Sequence, residues 1–246
     1  MSENKEITYC LETKPSQWNF CNFLVAAKTL GFDRIKFVNY HKIQIKKYIN
    51  NPLKIDPKTI AINRFKNIVL PLCDLANISY FFGYAHSDDK SLGYDLGVIY
   101  KIFEEKNFIW RFNPLKEKED YVTITIRDSI RNKFRDSHPD WRLFIKQFKN
   151  VIILEDRELN PITVMERLSL YSGAKMNYGV IGGATAILLY TTLPYKLWVG
   201  TSIKDKGTFE EIKSAGANIN SNFPFSLPNQ YLIWEEDNIE SLIKNK

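Results

Sequence analysis

Three arginines follow a strongly predicted strand in the second half of the chain. Arg127 comes directly after Tyr121–Ile126, whose alternating β-branched residues are typical of a strand, and Arg131 and Arg135 lie in the polar stretch beyond it. Ligands of open α/β sheets bind beyond the carboxyl ends of the strands, and a guanidinium group donates two parallel hydrogen bonds to a phosphate. The arginines therefore predict an anion clamp. The alternative is that neighbouring aspartates pair with them in a solvated loop.

A glycine pair occurs further along the same half of the chain. Gly182 and Gly183 stand between a short apolar run at Tyr178–Ile181, which predicts a strand, and Thr185–Leu193, whose apolar spacing predicts a helix. Free backbone N–H groups at such a helix start are a common phosphate-binding device. The alternative is that the glycines only allow the strand and the helix to pack closely. Together with Arg127, the turn predicts a diphosphate site.

Other polar residues near these features are candidates for binding the same ligand. The hydroxyls of Thr185, Thr201 and Ser202 are predicted to donate to phosphate or ribose, although Thr185 also fits an ordinary helix N-terminal residue. Glu166 lies on the predicted helix Ile162–Ala174, where its carboxylate either reaches a ribose or is simply exposed.

Glu12 is the acidic residue that we predict as a catalytic base. It follows the predicted first strand, Ile7–Leu11, so it lies at a strand end where a group can face a ligand. The chain has no GxSxG, HExxH, Walker A or complete GxGxxG motif, and its three histidines are isolated. We therefore expect neither a metal site nor a bound cofactor.

The composition is that of a folded protein with a basic balance. Hydrophobic residues make up 44% of the 246 residues, the net charge is +6 and the isoelectric point is near 9.0. Such a balance suits nucleotide diphosphates, other polyanions or the acidic surface of a membrane. The lysines form no stripe with interleaved aromatic residues, so nucleic acid is not favoured as a partner.

The compartment is predicted from three further features. The three cysteines are odd in number and far apart, which is typical of reduced thiols. No uninterrupted apolar run is long enough to span a bilayer, and the N-terminus has no pattern of a secretory signal. We expect a cytoplasmic protein, with peripheral contact to the inner face of the membrane through its basic surface.

Strand and helix signals alternate along the chain, which predicts an α/β fold with parallel sheets. Beside the segments above, the first half predicts, in order, a helix at Trp18–Leu30, a strand at Ile35–Val38, a short basic helix at Ile43–Ile49, a loop at Asn51–Thr59, a strand at Ile68–Leu72 and a helix at Leu92–Phe103. The second half predicts a helix at Asp140–Lys149, strands at Val151–Leu154, Lys196–Val199 and Tyr231–Trp234, and a last helix at Asn238–Asn245.

A polar, proline-containing stretch at Phe112–Asp120 is the candidate linker. The expected organisation is two Rossmann-like parallel-sheet domains that face a cleft. The expected domains are residues 1–115 and residues 116–246.

The order of motifs resembles a known family. TITIRDS, RNKFRDS and VIILED, followed by NYGVIGGATAILLYTTLPYKLW, resemble the C-terminal half of GT-B-type glycosyltransferases of the heptosyltransferase-like kind. The first half, with SQWNFCNFLVAAKTL, RIKFVNYHK and RFKNIVLPLCDL, looks like an uncharacterised bacterial GT-B-like group associated with surface-polysaccharide genes.

The resemblance implies a metal-independent hexosyl- or heptosyltransferase that moves a sugar from a nucleotide sugar to a polysaccharide or glycolipid acceptor. It also implies that residues 1–115 form the acceptor-side domain and residues 116–246 the nucleotide-sugar-side domain. The family's arginine would correspond to Arg127 and its small-residue turn to Gly182–Thr185. The chain departs from the pattern because it is short and has no serine and histidine beside the turn. The alternative is therefore a non-catalytic nucleotide- or sugar-phosphate-binding module of a polysaccharide assembly system.

Overall fold

The chain forms two compact units, each with its own parallel sheet. A computed structural model describes residues 5–15, 17–49, 54–127, 137–155, 162–199 and 206–246. The units are Met1–Phe112 and Asn113–Lys246. Three described strands form the sheet of the first unit and five form that of the second. The prediction of an α/β chain with two parallel sheets is confirmed, while the arrangement of the sheets around a cleft stays a prediction.

The sheet of the first unit has the strand order β1-β2-β3. Its strands are β1 (Glu6–Cys10), β2 (Arg34–Val38) and β3 (Ser79–Gly83), which are rich in the β-branched and aromatic residues that strands favour. Helix α1 (Phe20–Thr29) buries every residue except Lys28. Its Phe20 and Phe23 pack on Tyr9 of β1, with ring centroids 5.0 and 4.7 Å away.

One predicted strand of the first unit is wrong. The run at Ile68–Leu72 is helical, since α2 (Pro57–Arg64), a π-helical turn (Phe65–Val69) and α3 (Leu70–Leu75) follow one another directly. The strand that completes the sheet is β3, which the sequence reading missed.

Two other segments of the first unit differ from prediction in detail. The predicted loop at Asn51–Thr59 already contains the start of α2, which Asp56 caps by accepting a hydrogen bond from the backbone N–H of Thr59. The predicted basic helix at Ile43–Ile49 contains only a short 3₁₀ turn, Lys46–Tyr48, and another such turn precedes it at Tyr40–Lys42. Helix α4 (Leu96–Lys106) begins at its cap Asp95, a few residues later than predicted.

The sheet of the second unit has the strand order β5-β4-β6-β7-β8, with every neighbouring pair parallel. The strands are β4 (Val122–Ile126), β5 (Val151–Glu155), β6 (Asn177–Val180), β7 (Tyr195–Trp198) and β8 (Gln230–Ile233). The chain passes from β4 to β5 on one side and then returns to β6 on the other side of β4. The order therefore reverses between β4 and β6, and such a switch point is where open α/β sheets bind ligands.

The described helices of the second unit are α5 (Trp141–Ile145), α6 (Val164–Gly173), α7 (Lys206–Ser214) and α8 (Ile239–Lys244). Helix α5 is shorter than the predicted Asp140–Lys149, and α7 was not predicted. The helix predicted at Thr185–Leu193 is instead a 3₁₀ helix, Gly183–Tyr190.

The two faces of this sheet have different character. On one face, an aromatic core joins sheet and helices, and its fully packed members are Ile124, Trp141, Phe144, Tyr178, Trp198 and Leu242. On the other face, buried polar side chains pair with one another, beginning with Thr123, whose hydroxyl lies 2.6 Å from Oδ1 of Asn177. Alternate residues of β4 thus supply an apolar core on one side and a polar layer on the other.

No helix in the described part of the chain is long and apolar enough to cross a membrane.

Candidate functional site

The candidate site lies at the carboxyl ends of β4 and β6, where the strand order of the second sheet reverses. Arg127 follows the last residue of β4, and the glycine turn follows β6 after Ile181. Strands β4 and β6 are direct neighbours, with Thr125 opposite Gly179. Two segments that are 55 residues apart in the sequence therefore meet at one edge of the sheet.

Arg127 and Gly182 are in close proximity at this edge. A Cβ atom placed on Gly182 would lie 3.3 Å from Nη1 of Arg127, closer than most real Cβ contacts. Gly182 also has a φ of +115°, and the following Gly183 has a φ of +52°. Both values favour glycine, so the turn combines a backbone shape and a close approach that a side chain would disturb.

Thr185 holds the glycine turn in this shape. Its hydroxyl oxygen accepts a hydrogen bond from the N–H of Gly182 at 3.1 Å and lies 3.0 Å from the carbonyl oxygen of Val180 and 2.9 Å from that of Gly182. The side chain is buried. The expected role of Thr185 as a phosphate or ribose donor stays a prediction, while its structural role in the turn is evident.

The 3₁₀ helix after the turn presents N–H groups at its start. Its first internal hydrogen bond runs from the N–H of Thr185 to the carbonyl of Gly182, at 3.2 Å. The N–H groups of Gly183 and Ala184 precede that bond, in the position where a helix has no partner of its own for its first donors.

Gly179 is a further requirement of the site that the sequence reading missed. A Cβ atom at this position would lie 3.2 Å from Cβ of Thr125 and 3.2 Å from Cγ2 of Thr185. A side chain at residue 179 would therefore push against Thr125 of β4 and Thr185 of the turn, so the close packing of these two elements requires glycine here.

A buried polar row leads from the site into the second unit. The hydroxyl of Tyr171 lies 2.8 Å from Oγ1 of Thr125, and Nη1 of Arg167 donates to the same tyrosine oxygen at 3.3 Å. Arg167 has no exposed surface. Because a guanidinium group stays protonated, a second positive charge is fixed on this side of the sheet. The sequence reading missed it, since RLSLY on a helix gives no sign of which residues face inward.

The backbone of Arg127 is fixed by Ser137. The N–H of Arg127 donates to the Ser137 hydroxyl at 2.9 Å, and the N–H of Ser137 donates to the Arg127 carbonyl at 2.8 Å. Arg127 and Ser137 therefore lie side by side at the sheet edge. Arg131 and Arg135, the other predicted members of the clamp, lie outside the described residues, as do Thr201 and Ser202.

His138 follows Ser137 directly and was not considered as a site residue from the sequence. Its Nδ1 lies 3.3 Å from Oδ2 of Asp140, and its backbone N–H donates to Asp237 at 2.8 Å. Asp237 also accepts from Nε1 of Trp141 at 2.6 Å. The histidine is therefore held at the same chain segment that fixes Arg127.

Glu166 lies in the first turn of a helix that Thr163 caps. It is exposed in the first turn of α6, and its N–H donates to the hydroxyl of the cap residue Thr163 at 3.1 Å. A serine or threonine cap followed three residues later by glutamate is a common helix start, so its placement needs no ligand. Contact with a ribose stays a prediction.

Glu12 lies in the first unit, beyond the carboxyl end of β1. Its carboxylate is exposed, accepts a hydrogen bond from Nδ2 of Asn39 at 2.9 Å and lies 3.9 Å from Nζ of Lys42. A carboxylate with a cation and an amide beside it is positioned but remains accessible. Its role as the catalytic base stays a prediction.

Two titratable neighbours of Glu12 have shifted pKa values. Burial lowers the pKa of Lys14 to about 8. Burial raises the pKa of the Cys10 thiol, but hydrogen bonds from Thr13, from the backbone of Glu12 and from Asn39 lower it by more. Lys14 and Cys10, at this end of β1, therefore lose their protons at lower pH than exposed lysine and cysteine side chains do.

Among the described residues, no three histidine, cysteine or acidic side chains come together as a metal site. No protein-family model, curated protein or solved structure matches the chain.

Proposed function

We propose that the second unit binds the diphosphate of a nucleotide sugar between Arg127 and the Gly182–Gly183 turn, and that the protein is a metal-independent, GT-B-like glycosyltransferase. The observation that supports this most is the 3.3 Å approach of the Arg127 guanidinium to the position of a Gly182 Cβ, at the point where the strand order reverses. In this proposal a cation and two helix-start N–H donors bind the same ligand.

These groups suit a diphosphate energetically. A charge-assisted hydrogen bond contributes about 1.5–3 kcal/mol, and a helix N-terminus adds about 0.3–1 kcal/mol when exposed. The guanidinium of Arg127 forms parallel hydrogen bonds to one phosphate, and the N–H groups of Gly183 and Ala184 bind the other. The buried charge of Arg167 adds to the positive potential.

The same arrangement would assist transfer. The bond between the sugar's anomeric carbon and the diphosphate oxygen breaks, and the diphosphate leaves with the bonding electrons. Fixed positive charge stabilises the negative charge that develops on this leaving group. The anomeric carbon forms a bond to an acceptor hydroxyl, whose proton passes to Glu12 as general base. This step requires the two-domain GT-B arrangement, in which the domains face a cleft.

The alternative is a module that binds a nucleotide or a sugar phosphate without catalysis, within a polysaccharide assembly system. The surroundings of Glu12 favour this alternative, because its exposed carboxylate is engaged by Asn39 and lies 3.9 Å from Nζ of Lys42, an arrangement that needs no catalytic role. The binding site in the second unit is the same under both functions.

A ligand panel tests the proposal. Thermal unfolding is followed with UDP-, GDP-, ADP- and CMP-sugars, each far above its expected Kd. Since a ligand at 100 times its Kd stabilises by about 2.7 kcal/mol, and 1 kcal/mol corresponds to roughly 2–4 °C in a chain of this size, one nucleotide class should raise the Tm by about 5–10 °C. An unchanged Tm with all four classes would contradict nucleotide-sugar binding.

With the selected donor, release of nucleoside diphosphate in the presence of acceptor glycans separates the two functions. Turnover supports the transferase, whereas binding without release supports the non-catalytic module.

A further inference from the structure

The net positive charge of the protein comes from one short segment of the first unit. Residues 41–66 contain seven lysine and arginine side chains and one acidic residue, Asp56, which gives this segment a formal charge of +6. The whole chain has 34 basic and 28 acidic residues, so the remaining 220 residues carry 27 of each sign and are neutral overall. The basic balance of the protein is therefore a property of this segment.

Exposed aliphatic side chains lie among these charges. Ile45 is 37% exposed and Ile49 is 57% exposed, on either side of the 3₁₀ turn Lys46–Tyr48. The described lysines of the segment are also exposed, namely Lys42, Lys46, Lys54, Lys58 and Lys66. We call the surface formed by these lysines and the two isoleucines the basic surface.

The described parts of the segment, on the two sides of residues 50–53, are packed together. The guanidinium carbon of Arg64 lies 5.7 Å from the centre of the Tyr48 ring, and the rings of Tyr40 and Phe65 lie 5.5 Å apart. These contacts join residues 40–48 to the last residue of α2 and to Phe65, which follows it. Asp56 is engaged at the start of α2, where its Oδ2 accepts from both the N–H and the hydroxyl of Thr59 at 2.8 Å.

We propose that the basic surface attaches the protein peripherally to an anionic lipid bilayer. Lysines near an anionic bilayer each contribute to attraction, and exposed aliphatic side chains enter the boundary between headgroups and acyl chains. Exposed lysines and exposed isoleucines are both present, and they are neighbours in the chain at Ile45 and Lys46. The proposal does not depend on the function of the second unit, because it uses only residues 41–66.

The character of the exposed side chains favours lipid over nucleic acid. Binding of single-stranded nucleic acid combines basic groups with exposed aromatic rings on which bases stack. In this segment the rings of Tyr48 and Phe65 are buried, and Tyr40 packs on Phe65. The exposed apolar groups of the described residues in 41–66 are isoleucines instead, which insert into lipid but offer no stacking surface. An exposed ring lies beside the segment, that of Phe82 on β3, which is 51% exposed and packs on Tyr40 and Phe65.

Vesicle flotation tests the proposal. The full-length chain is mixed with vesicles of phosphatidylcholine alone or of phosphatidylcholine with about 30% phosphatidylglycerol, at low and at physiological salt. We expect binding to the anionic vesicles alone, and weaker binding as salt screens the charges. At about fivefold per lysine, the triple variant Lys42→Gln, Lys46→Gln, Lys58→Gln should lower the partition coefficient about 100-fold. The double variant Ile45→Ser, Ile49→Ser should also lower it.

Matched controls separate this surface from general charge and apolarity. The control for charge is Lys101→Gln, Lys118→Gln, Lys149→Gln, at exposed lysines elsewhere, and the control for apolar contact is Ile219→Ser, Ile243→Ser, at positions 58% and 50% exposed. Both should bind as the wild type does, and thermal unfolding checks that all variants are folded.

Three results would overturn the proposal. They are no flotation with anionic vesicles, equal flotation with neutral ones, and equal loss in the control variants. A fluorescent oligonucleotide included as a competitor covers the other polyanion: binding to it without binding to vesicles would assign the surface to nucleic acid.

Discussion

The guanidinium of Arg127 lies beside the turn after β6 because residue 182 has no side chain. The position of a Cβ there is 3.3 Å from Nη1 of Arg127, and the φ of +115° already favours glycine. A side chain at residue 182 would therefore crowd the guanidinium of Arg127 in its present position. Thr185 fixes the backbone of the turn, because its hydroxyl lies within hydrogen-bond distance of both the N–H and the carbonyl of Gly182.

Lys14 provides a prediction on pH dependence at the scale of a single residue. Its Nζ donates to the Leu92 carbonyl at 2.6 Å, and burial lowers its pKa from 10.5 to about 8. Between pH 8 and 10.5 the unfolded chain therefore binds a proton at this lysine that the folded chain has lost. Stability rises with pH wherever the unfolded state binds more protons, so the contribution of Lys14 should improve across this window.

The measurement is urea unfolding of the wild type and Lys14→Met at pH 7.5 and at pH 10. Other groups titrate in both proteins, so the difference between them isolates Lys14. The stability of the wild type relative to the variant should be greater at pH 10. A difference that stays constant, or that moves the other way, would show that Lys14 titrates as an exposed lysine does.

At the scale of elements, Asn177 joins α6, β4 and the segment before β7. Its Nδ2 donates to the carbonyls of Tyr171 and Pro194 at 3.2 and 2.9 Å, and its Oδ1 lies 2.6 Å from the hydroxyl of Thr123. The side chain has no exposed surface. Its loss would remove the Asn177 partner of the buried Thr123 hydroxyl and one of the two donors to each carbonyl, and a buried group left unpaired costs about 1–3 kcal/mol.

Asn177→Ala should therefore lower the free energy of unfolding by about 1–3 kcal/mol. Asn150→Ala is the control, because that asparagine is exposed and makes only a long hydrogen bond of 3.4 Å to Asp120. The control should change stability by less than about 0.5 kcal/mol. Equal effects in urea unfolding would mean that the polar layer contributes little to joining the elements.

Most strands were predictable from alternation and β-branched content, as at β2 and β4. The strand predicted at Ile68–Leu72 is wrong because a short, continuous apolar run fits a buried helix as well as a strand. The apolar residues of that run pack inward from the helical stretch between α2 and α3, where Ile68, Val69 and Leu72 are buried. Periodicity over five residues does not distinguish these two outcomes.

The candidate site was predictable only in part. Gly182 and Gly183 were identifiable from local sequence as a turn, because the pair stands between a short apolar run and a segment with helical spacing. The row from Thr125 through Tyr171 to Arg167 was not, since it is formed by side chains on different elements, 46 residues apart between Thr125 and Tyr171. Gly179 was missed for the same reason, because its neighbours come from β4 and from the turn.

At the scale of the whole molecule, the order of the strands creates the site. Arg127 meets the glycine turn because the chain crosses from β5 back over β4 to form β6. Charge is also distributed at this scale, since residues 41–66 carry the whole net charge. The protein thus has one candidate surface for lipid and one candidate site for phosphate, on different units of the chain.

The most direct test of the account is the effect of Arg127 on donor binding. UDP-, GDP-, ADP- and CMP-sugars are titrated calorimetrically into the wild type, Arg127→Ala and Arg142→Ala, where Arg142 is an exposed arginine on α5 of the same unit. Loss of a charge-assisted hydrogen bond should weaken the bound nucleotide sugar by about 10- to 150-fold in Arg127→Ala, with the Tm nearly unchanged, and leave Arg142→Ala as the wild type. Unchanged affinity in Arg127→Ala, or equal weakening in Arg142→Ala, would contradict a diphosphate site between Arg127 and the glycine turn.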